Sequence, residues 1–121
     1  MQNIAVVGLD QLSQDFVRAL GGLADRGVRV IGVVDPHDGR AADRLTAEGV
    51  RVMSLEEMVA LGEGVDIVFD LAGDPELRRR LRQALFASDN QHTVIAPQSV
   101  ARLMWTLLGE SPFPGGDDGG Y

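Results

Sequence analysis

Ile4-Ala5-Val6-Val7-Gly8-Leu9-Asp10-Gln11-Leu12-Ser13 decides how the rest of the sequence reads. Four apolar residues without a polar interruption have the composition of a strand buried on both faces, and Gly8 supplies the turn that ends it. Beyond the turn, Leu12, Phe16, Val17 and Leu20 recur at helical spacing, so the segment is strand, tight turn, helix. Gly21, Gly22 and Gly27 close the helix, and residues 28–34 repeat the buried-strand pattern before stopping at Asp35-Pro36.

The same alternation runs on. Ala41, Ala42, Leu45 and Ala47 predict a short helix closed by Gly49, and residues 50–53 a third strand. Ser54 with Glu57 forms a capping box that opens a helix through Leu61. Residues 65–71 predict a fourth strand. Asp74 then reads as an N-cap with Pro75 at the first helical position of a helix reaching about Phe86, its inward face Leu77, Leu81, Ala84 and Leu85. Residues 92–96 predict a fifth strand and Pro97 to Leu108 a last helix. From Ser111 the composition turns to Pro and Gly, which predicts a domain over 1–110 and a flexible tail over 111–121.

Continuous apolar strands alternating with helices imply right-handed crossovers and helices on both faces of the sheet. The fold class expected is α/β, a single Rossmann-like domain with a doubly wound parallel sheet of five strands in the order 3-2-1-4-5.

Composition excludes several functions. The 121 residues carry 45% hydrophobic and 24% charged residues, a globular balance. A net charge of -7 gives no footprint for nucleic acid or anionic lipid. All 11 basic residues are Arg; without Lys there is no Schiff-base chemistry, and without Cys no thiolate nucleophile or disulfide. No apolar run approaches the ~20 residues that span a bilayer, and the start of the sequence lacks a basic leader. These features together set the expectation of a cytoplasmic protein.

In such a sheet, ligands bind beyond the carboxyl ends of the strands where the order reverses. Three loops are therefore candidates. Gly8, Asp10, Gln11 and Leu12 lie where a G-x-G-x-x-G dinucleotide fingerprint would fall, but only its first glycine is present. Ser13 replaces the third glycine. Asp10 either crowds a pyrophosphate or caps the helix. Asp35, with Pro36 after it, ends the second strand where a carboxylate would accept the hydroxyls of an adenosine ribose, a preference for NAD over NADP; ordinary turn chemistry accounts for the pair equally. Ala72 and Gly73 follow the fourth strand and would pass beneath a nicotinamide ribose. Asp70 ends that strand as a secondary polar contact. Arg78, Arg79, Arg80 and Arg82 read as solvated surface, and His37 and His92 as isolated residues without metal-ligand spacing.

The last helix is apolar over a wide arc. Val100, Leu103, Met104, Leu107 and Leu108 make one face, read as inward, while Ala101 and Trp105 extend around the other. This predicts a homodimer through the Pro97–Leu108 helix, including Trp105.

With these residues in hand, 3 to about 109 resembles the N-terminal NAD-binding domain of the glucose-fructose oxidoreductase and inositol dehydrogenase family. The resemblance rests on Ile4-Ala5-Val6-Val7-Gly8, Val33-Val34-Asp35-Pro36, and Ser54-Leu55-Glu56-Glu57 before Val65-Asp66-Ile67-Val68. In that family a Glu-Lys-Pro motif follows the fifth strand, and its lysine serves the nicotinamide. Ile95-Ala96-Pro97 stands here instead, and the sequence carries no counterpart of the family's substrate domain. The resemblance thus implies an NAD-type binding or sensing module without its own catalysis, or an oxidoreductase component completed by another chain. A degenerate pocket in an interaction domain is the remaining alternative. The ending Ala101-Arg102-Leu103-Met104-Trp105-Thr106-Leu107-Leu108, with Gly73-Asp74-Pro75-Glu76 before it, also resembles Rossmann-like modules attached to bacterial signalling kinases, which would imply a signalling partner.

Overall fold

Five strands lie side by side, all parallel, in the order β3-β2-β1-β4-β5. The computed structural model describes residues 1–35 and 51–108. In chain order these are β1 (Gln2–Val7), α1 (Gln11–Gly21), β2 (Val28–Val34), β3 (Val52–Met53), α2 (Leu55–Ala60), β4 (Ile67–Asp70), α3 (Pro75–Ala87), β5 (Val94–Ala96) and α4 (Gln98–Leu107). The fold is the expected Rossmann-like α/β domain. Pro36, His37, the helix predicted around residues 41–47 and the tail over 111–121 lie outside the described residues.

Strand pleating sorts the core into two layers, because successive side chains point to opposite faces. Ile4, Val6, Val33, Phe69 and Ala96 face α1 and α4, meeting Phe16, Leu20, Ala101 and Trp105. Ala5, Val7, Val34 and Val68 face α2 and α3, meeting Leu55, Met58, Leu77, Leu81 and Leu85. The Phe16 and Phe69 rings meet edge to face at 5.0 Å, tying α1 to the sheet centre.

The helix starts follow their caps. Ser54 accepts from the Glu57 amide while the Glu57 carboxylate accepts from the Ser54 amide, the capping box expected. Asp74 accepts from the Glu76 amide, and Pro75 opens α3.

Three expectations need correction. The fifth strand is shorter than 92–96, because the Asn90 side chain accepts from the amides of both His92 and Thr93 and holds them in a turn. His92 is not isolated: its Nε2 lies 2.6 Å from Asp66 Oδ1, at the edge of the sheet away from the candidate loops. The inward face of the last helix is reversed. Trp105 is 6% exposed and packs in the core with Ala101, whereas Leu103 and Leu107 are 58% and 76% exposed. Ala101 lets the helix approach the sheet closely, and one turn later the indole buries more apolar area than a leucine could. Trp105 therefore belongs to this domain's own core.

Candidate functional site

The carboxyl ends of β1, β2 and β4 bring Gly8, Asp35 and Leu71 to one edge, at the point where strand order reverses. Backbone hydrogen bonds stitch this edge together. The Gly8 amide donates to the Val34 carbonyl at 3.1 Å, and the Leu71 amide to the Val7 carbonyl at 3.0 Å. Of the sequence-expected residues, Gly8, Asp10, Gln11, Leu12, Asp35, Ala72 and Gly73 all lie on the loops and helix start leaving this edge.

Gly8 adopts φ +136, a conformation side chains rarely take, and a Cβ there would collide with Ser13 Oγ. Ser13 is itself buried, so the hydroxyl fills space that the fingerprint's third glycine would leave empty. Asp10 caps α1: its Oδ1 accepts the Ser13 amide at 2.9 Å and the Ser13 hydroxyl at 2.7 Å. Of the two sequence readings of Asp10, the cap is the one observed. It also places a carboxylate on the helix end whose amides and dipole would otherwise receive an anion.

Asp35 is half-buried, and its amide donates to the Met53 carbonyl at 3.0 Å, so the β2–β3 ladder fixes where its backbone ends. After β4 the chain turns through Gly73 at φ +71. Asp70 Oδ1 accepts from the Ala72 amide at 3.3 Å, which holds this turn against the strand.

Asp70 is more than a secondary contact. It is buried at 1% exposure with Arg78 Nε 3.5 Å from its Oδ2. Arg78 is accordingly not plain solvated surface; it leans over the end of β4 while Leu77 and Leu81 beside it enter the core. The signal available in the sequence was position: Arg78 follows a core residue on a helix that starts directly after Asp70's strand.

A carboxylate at the end of β2 fits the adenosine ribose of a dinucleotide, and Gly8 supplies the tight turn with which such a binding loop begins. The groups fit the pyrophosphate half less well, since Asp10 already satisfies the Ser13 amide.

Solved structures share this fold. The imine reductase of Streptomyces aurantiacus matches with a TM-score of 0.58 at 20% identity, over 94% of this chain and 43% of its own. A protein assigned as a myo-inositol dehydrogenase in Sinorhizobium meliloti 1021 gives 0.60 at 14% identity, over 93% and 35%. An NAD-binding protein from Listeria innocua gives 0.58 at 17%, over 90% and 33%. The chain thus spans less than half the length of each. Identities this low show a shared Rossmann-type fold and nothing finer. No family model matches the chain, and no curated protein matches it in sequence. The resemblance to kinase-attached modules gains no support from these neighbours. Among the described residues, no helix is long and apolar enough to cross a membrane.

Proposed function

We propose that this domain is an NAD-type dinucleotide-binding or sensing module that does not itself carry out hydride transfer. The observation that supports the reading most is the meeting of Gly8, Asp35 and Gly73 at the topological switch point of the sheet. Gly8 would make the tight turn that leads into the binding loop, the Asp35 carboxylate would accept ribose hydroxyls, and Ala72 and Gly73 would border the other nucleoside. The Gln11 and Leu12 amides at the head of α1 would face the phosphates beside Asp10, which opposes them. When bound, the dinucleotide supplies a hydride-accepting or hydride-donating ring. The chain's own residues then bind and orient it; the sequence has no lysine, and of the histidines among the described residues His92 is held against Asp66.

The names of the solved neighbours, two enzymes that reduce or dehydrogenate and one NAD-binding protein, favour this reading over a degenerate interaction domain. Titration of the purified chain with NADH, followed by the ligand's fluorescence, tests it. Saturable enhancement is expected, without NADH production from NAD on a panel of polyols, sugars and hydroxy acids. Absence of any saturable change removes the proposal, and turnover on the panel would make the chain an enzyme in its own right.

A further inference from the structure

Four arginines stand on α3, and three have acidic neighbours. Arg78 Nε lies 3.5 Å from Asp70, Arg79 2.9 Å from Glu76, and Arg80 3.5 Å from Glu56. Arg82 has no acidic partner among the described residues. It follows Arg78 by one turn, so the two side chains flank the same groove. That groove is a cleft of about 220 Å³ bounded by Asp70, Arg78, Arg82, Ile95 and Pro97.

Ile95 and Pro97, which line the cleft, belong to the end of the sheet where β5 lies. Among the described residues β5 pairs with β4 alone, and the Val94 amide donates to the Asp66 carbonyl at 3.0 Å. Alternate residues of a strand address opposite neighbours, so Ile95 turns its N–H and C=O to the open side. Pro97 contributes no N–H. Ile95 and Arg82 both line the cleft.

We propose that this cleft binds a small monoanionic carboxylate, held between the Arg82 guanidinium and the Ile95 amide. Charge selects the class. Asp70 is buried against Arg78, so that pair adds no net charge, and Arg82 leaves the cleft with a single positive one. A carboxylate balances it, whereas the second negative charge of a phosphate would find no further positive charge in the groove to balance it. The guanidinium fork also matches the planar geometry of a carboxylate. The space equals roughly seven water volumes, room for a molecule of a few carbon atoms. Its position beside the end of β4 brings such a ligand near Ala72 and Gly73, but the proposal stands on this groove alone and does not depend on nucleotide binding.

A proton–nitrogen NMR titration of the full chain with sodium acetate, at ionic strength held constant with chloride, tests it. The Ile95 amide resonance should move saturably in the millimolar range. The movement should vanish in Arg82→Gln and persist in Arg79→Gln, which removes the same charge from another side of α3. Phosphate at neutral pH should bind more weakly at the same resonance. A non-saturating drift, an unchanged response in Arg82→Gln, or tighter binding of phosphate overturns the proposal. Any of these leaves the nucleotide reading untouched, since the titration contains no nucleotide.

Discussion

The Asp10 carboxylate and the Ser13 side chain close on each other across the first turn of α1, with one oxygen accepting both the hydroxyl and the amide of Ser13. Ser13 in turn lies beneath Gly8, where it meets the position a Cβ would take. The two departures from the glycine fingerprint are therefore one coupled feature, and the charge on Asp10 is the part that would oppose a pyrophosphate placed at this helix end.

Asp10→Asn keeps an acceptor for the Ser13 amide while removing that charge. NADH should then bind about fivefold tighter, roughly 1 kcal/mol, a modest figure because Asp10 is exposed and water screens it. Isothermal titration of both proteins checks this. Equal or weaker binding by the variant would show that Asp10 does not oppose the ligand.

Gly8→Ala should cost about 2 kcal/mol or more in denaturant unfolding, since it adds backbone strain at φ +136 to the collision with Ser13 Oγ. In a Ser13→Ala background the same change should cost less, because only the backbone strain remains. Equal costs in the two backgrounds would separate Gly8 from Ser13.

Much of this fold was legible because its strands are buried on both faces. Ile4–Val7 reads as a continuous apolar run and Val28–Val34 as a β-branched one interrupted by Arg29 and Gly32, and caps such as Ser54 with Glu57 and Asp74 with Pro75 marked the helix starts. The direction of the last helix's inward face was not legible. Its sequence is apolar nearly all round, so periodicity does not single out the side holding Ala101 and Trp105; the fit of a small residue and a large ring against the sheet does. The pairs Asp70 with Arg78 and His92 with Asp66 join residues from different elements, which no local spacing records. At the site, loop positions followed from topology, while the choice between cap and obstacle for Asp10 needed its hydrogen bonds.

Trp105→Glu should unfold or strongly destabilise the domain, by about 4 kcal/mol or more, because it empties a core position and buries a charge. Leu103→Glu, exposed in the single chain, should cost far less, no more than the stabilisation that a second copy adds by binding the folded state. Thermal melts distinguish the two. The dimer expected through this helix is now proposed to use Leu103 and Leu107 against a second copy. Light scattering should show a dimeric wild type and a monomeric Leu103→Glu; a monomeric wild type would remove the proposal.

Asp66 joins the starts of three strands, accepting the Asn3 amide at 2.7 Å and facing His92 Nε2 at 2.6 Å. The Asn3 hydrogen bond first, and the His92 contact second, hold its carboxyl below the ordinary value of 3.8. A depressed folded value means the unfolded chain takes up the proton first as pH falls. The stabilisation is thus complete above the ordinary value and is lost as pH drops through the folded one. Melting temperature should fall below about pH 4 in the wild type and fall less in Asp66→Asn. Matching acid limbs would show that Asp66 contributes nothing to acid sensitivity.

Calorimetric titration of the wild-type chain with NADH and NADPH in parallel tests the central claim most directly. The carboxylate of Asp35 at the end of β2 should favour free ribose hydroxyls over a 2′-phosphate, so NADH should bind at one site and at least about tenfold more tightly than NADPH. No heat of binding with NADH, or equal affinity for the two, would contradict the assignment of this edge of the sheet to an NAD-type dinucleotide.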